Sequence, residues 1–192
     1  MRASILLIAV LVAATACAPG NVRLTRQDFS SEYGAGQFAY AGAGRDFRVD
    51  VVGNPFGGDQ TAFGQIVTEA MQGQHWGPAT NFTTNPGPDS REAYRVVMLF
   101  NPPLTFNSMR LCDDPPTALP TENRQSGIAL YGAFCRGNKA LSRLRGDIDG
   151  ASGPADPAFR ALVGQVTAAL FPPDRRMDGD DDDDKCKFLN CS

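Results

Sequence analysis

The chain is short of the residues that usually perform chemistry. Of its 192 residues one is histidine and one is tryptophan, adjacent as His75 and Trp76 in QGQHWGP. A lone histidine beside an aromatic is more often packed than catalytic, and a single imidazole excludes a His-Glu-x-x-His helix. A Gly-x-Ser-x-Gly elbow and a phosphate loop are also missing, so no cofactor is implied. Basic charge is not in excess either, with 18 Lys and Arg against 21 Asp and Glu. The deficit lies in the tail, where six Asp fall between residues 178 and 184. No basic patch stands out, so nucleic acid is not an expected partner. After residue 16 there is no long apolar run, and hence no expectation of a membrane span there.

What the chain does have is ILLIAVLVAATACAPG near its start. Arg2 precedes an apolar segment from Ile5 to Ala14, too short for the roughly 20 residues a spanning helix needs. A positive start, a short apolar core and Ala14-Thr15-Ala16 form the pattern of a secretory signal peptide over residues 1–16. With Cys17 following, the same residues resemble a bacterial lipobox, although Ala14 stands where the commonest pattern has Leu. That resemblance implies a diacylglycerol on the Cys17 thiol and an acylated amine, and Ala18, rather than Asp, implies an outer-membrane destination facing the periplasm. Two or more acyl chains anchor a protein stably without a transmembrane helix. The lipid bilayer is therefore one expected partner.

Cysteine parity supports this. The five cysteines are Cys17, Cys112, Cys135, Cys186 and Cys191. An exported chain meets an oxidising compartment, where an odd thiol is anomalous. Acylation of Cys17 leaves four, and proximity favours Cys112 with Cys135 and Cys186 with Cys191. A zinc site is the rival use of Cys186-x4-Cys191, but it lacks a matching second pair.

The body divides by pattern. Residues 17–36 are polar and small, and read as a lipidated tether. Residues 37–173 read as one α/β domain, and 174–192 as an acidic, cysteine-containing tail. Phe38 and Tyr40 alternate, as do Phe47, Val49 and Val51, which predicts a strand and a hairpin partner before it. Asp59 is placed to cap a helix whose apolar face is Phe63, Ile66, Val67, Ala70 and Met71. Val96 to Phe100 is apolar on both faces, as in a central covered strand. Strand, helix and strand in that order predict a parallel pair. Residues 101–124 show no period and are rich in proline. The runs flanking Arg136-Gly137-Asn138-Lys139 predict a hairpin, and Asp156-Pro157 opens a second helix lined by Phe159, Leu162, Val163, Val166 and Leu170. The expected fold is an α/β single domain, a mixed sheet with two packed helices in the order β-(β)-α-β-β-β-α. This order resembles the small domains of envelope-assembly lipoproteins, such as those of curli secretion and of penicillin-binding-protein activation.

Two strands end alike, in VVGNPF and LFNPP, which would put Asn54 and Asn101 at one carboxyl edge of the sheet near Asp59. Open α/β sheets place ligands at such edges, so these three residues are ligand-crevice candidates; Asn-Pro as a plain strand terminator is the competing reading. No catalytic residue is singled out. Asp46, Asp50, Glu69, Glu92, Asp147 and Asp149 carry carboxylates without an informative spacing. The sequence therefore points to a non-enzymatic binding or assembly module with an unidentified envelope protein as partner. The alternatives are an envelope hydrolase using carboxylates near the Asn54/Asn101 edge, and weak divalent-cation binding by the Asp-rich tail, which lacks the glycine and distal Glu of an ordered calcium loop.

Overall fold

The computed structural model describes residues 21–113 and 127–173. The elements run β1 (Arg23–Phe29), α1 (Ala35–Gly42), β2 (Asp46–Val52), α2 (Gln60–Met71), β3 (Asn81–Thr83), β4 (Tyr94–Phe100), β5 (Ile128–Arg136), β6 (Lys139–Ile148) and α3 (Pro157–Leu170). They build a mixed six-stranded sheet in the order β1-β6-β5-β4-β2-β3. Strand β2 pairs in parallel with β3 and β4, and the rest of the ladder is antiparallel.

Side-chain alternation along the central strands separates two apolar layers. Val96, Met98 and Phe100 of β4 join Leu130 and Phe134 of β5 in the main core, together with residues of all three helices. Their neighbours Val97, Leu99, Ala133 and Cys135 face the other way and pack with Leu111 and Cys112. The strand that is apolar on both faces is thus covered by helices on one side and by the segment after β4 on the other. That segment includes a 3-10 turn at Ser108–Arg110, opened by the Asn107 side chain, which accepts from the Met109 amide.

Helix packing follows the apolar spacing. Phe63, Val67 and Met71 of α2 are buried, as are all five of the α3 stripe residues. Asp59 accepts from the Ala62 amide at 2.6 Å and Asp156 from the Ala158 amide at 2.9 Å, each satisfying an orphan donor at a helix start. Helix α3 lies close against the sheet because Gly132 and Gly146 present no Cβ; one built at either position would meet Val166 at 2.7 Å. The β5–β6 hairpin turns at Gly137, whose φ of 59° suits the first central position of a two-residue turn.

Three expectations change. Phe38 and Tyr40 belong to α1, not to a strand: Phe38 and Ala41 are buried one helical turn apart while Tyr40 is 55% exposed. In a strand Phe38 and Tyr40 would share one face. Residues 17–36 are not all tether, because β1 occupies Arg23–Phe29 and α1 starts at Ala35. Strand β1 is an edge strand with its side chains largely exposed, and a register shift between Thr25 and Asp28 interrupts its alternation. The sheet thus starts before residue 37, and the described residues hold three helices rather than two, in the order β-α-β-α-β-β-β-β-α. Strand β3, three residues in a polar stretch, was not expected.

Candidate functional site

The parallel register pairs Val52 with Leu99, so β2 and β4 end together and bring Asn54 and Asn101 to one edge of the sheet. Each side chain there holds the local backbone. Asn54 Nδ2 donates to the Gly57 carbonyl at 2.7 Å, and its Oδ1 accepts from the Phe56 amide at 3.0 Å, closing the loop before α2. Asn101 is buried, and its Oδ1 accepts from the Ala129 amide at 2.8 Å. Asp59 is the cap of α2. The fold brings these residues to one region, and the bonds they make are those of strand terminators and a helix cap.

Beside this edge lies a groove of about 510 Å³ along the outer side of β2. It arises because β3 is short. The β2–β3 ladder pairs Asp46, Phe47 and Arg48 with Asn81, Phe82 and Thr83 and then stops. Val49 to Val52 continue past it, paired with β4 on their inner side alone among the described residues. The far wall carries Gln60, Thr61 and Gly64 of α2 and, at the mouth, Thr84 and Asn85. Gln60 Nε2 reaches across and donates to the Val51 carbonyl at 3.0 Å, which shows that the Val51 backbone points outward.

Arg48 and Asp50 are the charged residues among those that line the groove, and Arg95 reaches Asp50 from outside that lining. Arg48 Nε donates to Asp50 Oδ1 at 2.7 Å, and Arg95 Nε lies 3.3 Å from Asp50 Oδ2. Two guanidinium groups thus share one carboxylate, leaving a local excess of positive charge. Arg95 also donates from Nη2 to the Cys112 carbonyl at 2.6 Å and from Nη1 to the Gly137 carbonyl at 2.8 Å, which fastens the segment after β4 to the hairpin turn.

Cys112 and Cys135 form a disulfide across a separation of 23 residues, with Cα atoms 5.6 Å apart. Closing a loop of that size is worth about 3 to 3.5 kcal/mol in the chain-entropy model. Cys17, Cys186, Cys191 and the Asp-rich tail lie outside the described residues.

The remaining carboxylates are engaged in ordinary ways. Asp46 accepts from the Gly87 amide and from Asn81 Nδ2, and these bonds, in that order, hold its carboxyl below the usual range. Asp149 is lowered by its bond and charge pairing with Arg23. Asp147 is paired with Arg145, and Glu69 lies 3.7 Å from Arg160. Among the described residues no three His, Cys, Asp or Glu side chains converge as metal ligands. His75 packs edge-on to Phe38 and Phe82, with Nε2 donating to the Pro78 carbonyl at 3.0 Å. That is the setting of a packed histidine. Sequence reasoning missed Gln60 and the open β2 edge; no local pattern marks either, because the edge exists only where β3 ends.

No protein-family model matches the chain, and no curated protein matches it. Among solved structures, the PelC dodecamer from Paraburkholderia phytofirmans is similar in outline, with a TM-score of 0.40 and 11% identity over 80% of this chain and 100% of that one. A likeness of that degree says nothing about this chain's residues, assembly or ligand. Among the described residues no helix is long and apolar enough to cross a membrane.

Proposed function

We propose that this protein is a non-enzymatic binding or assembly module, held at the bacterial outer membrane through an acylated Cys17 and facing the periplasm. The observation that carries the binding reading is the state of the sheet edge. Asn54, Asp59 and Asn101 are each bonded to backbone, while the neighbouring groove leaves part of a strand edge without a partner strand among the described residues. A carboxylate hydrolase needs two carboxyl groups about 5 to 9 Å apart, one of them free to exchange a proton. Asp59 is a cap and Asp50 is held by two arginines. The anchor reading rests on residues 5–17 and on cysteine parity.

The test uses the full-length precursor expressed in a Gram-negative host. Labelled palmitate is expected to enter the wild-type chain and not Cys17→Ser. Incubation of the purified protein with peptidoglycan sacculi is expected to release no soluble fragments. Release that is abolished by Asp50→Asn or Asp59→Asn would replace the binding reading with the hydrolase.

A further inference from the structure

We infer that the outer edge of β2 at Val49–Val52 is a docking site for an extended peptide segment of another protein, which adds to the sheet in line with β3. The inference deepens the binding-module reading above and rests on it.

Three observations converge. The ladder stops at the Arg48–Thr83 pair although β2 runs four residues further, so one strand position in the sheet is vacant beside Val49–Val52 among the described residues. Backbone groups at a sheet edge are strong donors and acceptors that pair with any extended chain of matching register. At Val51 the outward carbonyl is covered by a single side-chain amide, that of Gln60, which an incoming backbone N–H can displace. The groove is also bounded on its far side by α2, as peptide grooves between a strand and a helix are. Its volume of about 510 Å³ falls in the range of ligand sites, roughly 300 to 1,000 Å³.

The two faces of the added strand meet different chemistry. On the helix side the wall is Gln60, Thr61 and Gly64, with the Thr84 methyl packed close to Gly64, and the half-buried Val51 side chain is the apolar contact left to an added strand. On the other side Arg48 is half exposed, and its partner Asp50 is shared with Arg95. Charge complementarity there selects an acidic residue. The fitting segment is therefore extended, with an apolar side chain toward Val51 and a carboxylate toward Arg48.

A second copy is a poorer occupant. The opposite sheet edge, β1, is blunted: its register shifts between Thr25 and Asp28, Arg26 sits at a φ of 52°, and Arg23, Arg26 and Asp28 are exposed. Bulges and charges of this kind guard an edge against pairing. The chain's N-terminal portion enters at β1, four strand positions away from β2. Four spacings of about 4.8 Å make some 19 Å, more than the three residues between Cys17 and Asn21 can span.

The test pans a phage-displayed library of random dodecapeptides on the full-length protein and follows backbone amide exchange by NMR with the selected peptide bound. The expected result has three parts. The Val51 amide slows by about tenfold or more. Methylating the one peptide nitrogen that pairs with the Val51 carbonyl weakens binding by about tenfold, the loss of one hydrogen bond. Gln60→Ala, which removes the competing amide, tightens it. A selected peptide that leaves Val51 exchange unchanged overturns the docking site while leaving a binding module elsewhere on the chain. A Val51 amide already protected in the free protein overturns it in favour of cover by the chain's own tail or a second copy. A library that yields no binder overturns the peptide partner, while the palmitate and sacculus results continue to judge the wider reading separately.

Discussion

Asn101 and Ala129 hold each other at two points: the Asn101 amide donates to the Ala129 carbonyl at 2.9 Å, and the Ala129 amide donates to Asn101 Oδ1 at 2.8 Å. Asn101 does this at a φ of 43°, a left-handed conformation that asparagine tolerates better than most residues. Replacing it with alanine leaves a buried amide without its acceptor, which costs about 1 to 3 kcal/mol, and puts a less tolerant residue at positive φ. Asn101→Ala is expected to lower stability by about 2 to 4 kcal/mol in urea unfolding. Asn101→Gly, which loses the bond but not the backbone fit, is expected to fall between it and wild type. Equal losses in the two variants would mean that the conformation contributes nothing.

Arg95 and the Cys112–Cys135 bond fasten the same segment by independent means. Replacing both cysteines with alanine is expected to cost about 3 kcal/mol. Arg95→Met keeps most of the stem but removes two charge-assisted bonds, at about 1.5 to 3 kcal/mol for each such interaction. Limited proteolysis after residue 101 is expected to speed up in both variants, and most in the triple substitution. Unchanged cleavage in Arg95→Met would show that the disulfide alone suffices.

Gly146 lets α3 approach the sheet. A Cβ built there lies 2.7 Å from Leu162 Cδ1 and from Val166 Cγ2, closer than real contacts allow. Gly146→Ala is expected to destabilise by about 1 to 3 kcal/mol through overpacking, measured as a drop in the urea midpoint. The compensating pair Gly146→Ala with Val166→Ala is expected to recover part of that loss. Recovery of none would place the clash elsewhere.

Glu32 bridges Lys139 and Arg136, and the bond from Lys139 leads in holding its carboxyl below the usual carboxylate range. A depressed folded pKa contributes stability that is fully present above the unfolded value, about 4.3, and is lost as pH falls through the folded value. Thermal midpoints measured from pH 7 downward are therefore expected to separate wild type from Glu32→Gln at neutral pH. The two should draw together as pH falls below the unfolded value and converge only once it has passed through the lower folded value. Parallel curves across that window would show that the cluster is not linked to folding.

The legible parts of this fold were those written in local periodicity. Phe47 and Val49 alternate, and Phe63, Val67 and Met71 recur at helical spacing; each pattern survives into the structure because burial of one face decides it. The β5–β6 hairpin was legible because its turn residues sit where the turn needs them. Strand β1 was not, because an exposed edge strand carries no apolar face and its bulge breaks the period. Helix α1 was hidden by Phe38 and Tyr40, which mimic alternation although one is buried and the other faces solvent. At the candidate site, the matching strand ends put Asn54 and Asn101 in register, whereas the bonds of Asn54, Asp59 and Asn101 are those of strand ends and a helix cap. The groove was not legible, since it depends on where the three-residue β3 stops against a strand 35 positions earlier in the chain.

The most direct test of the central claim is the intact mass of the full-length precursor's product recovered from Gram-negative membranes, before and after reduction with alkylation. The account predicts a chain that starts at Cys17 and carries added acyl mass, with four thiols that become alkylatable on reduction alone. An unmodified chain, or one that retains residues 1–16, would contradict it.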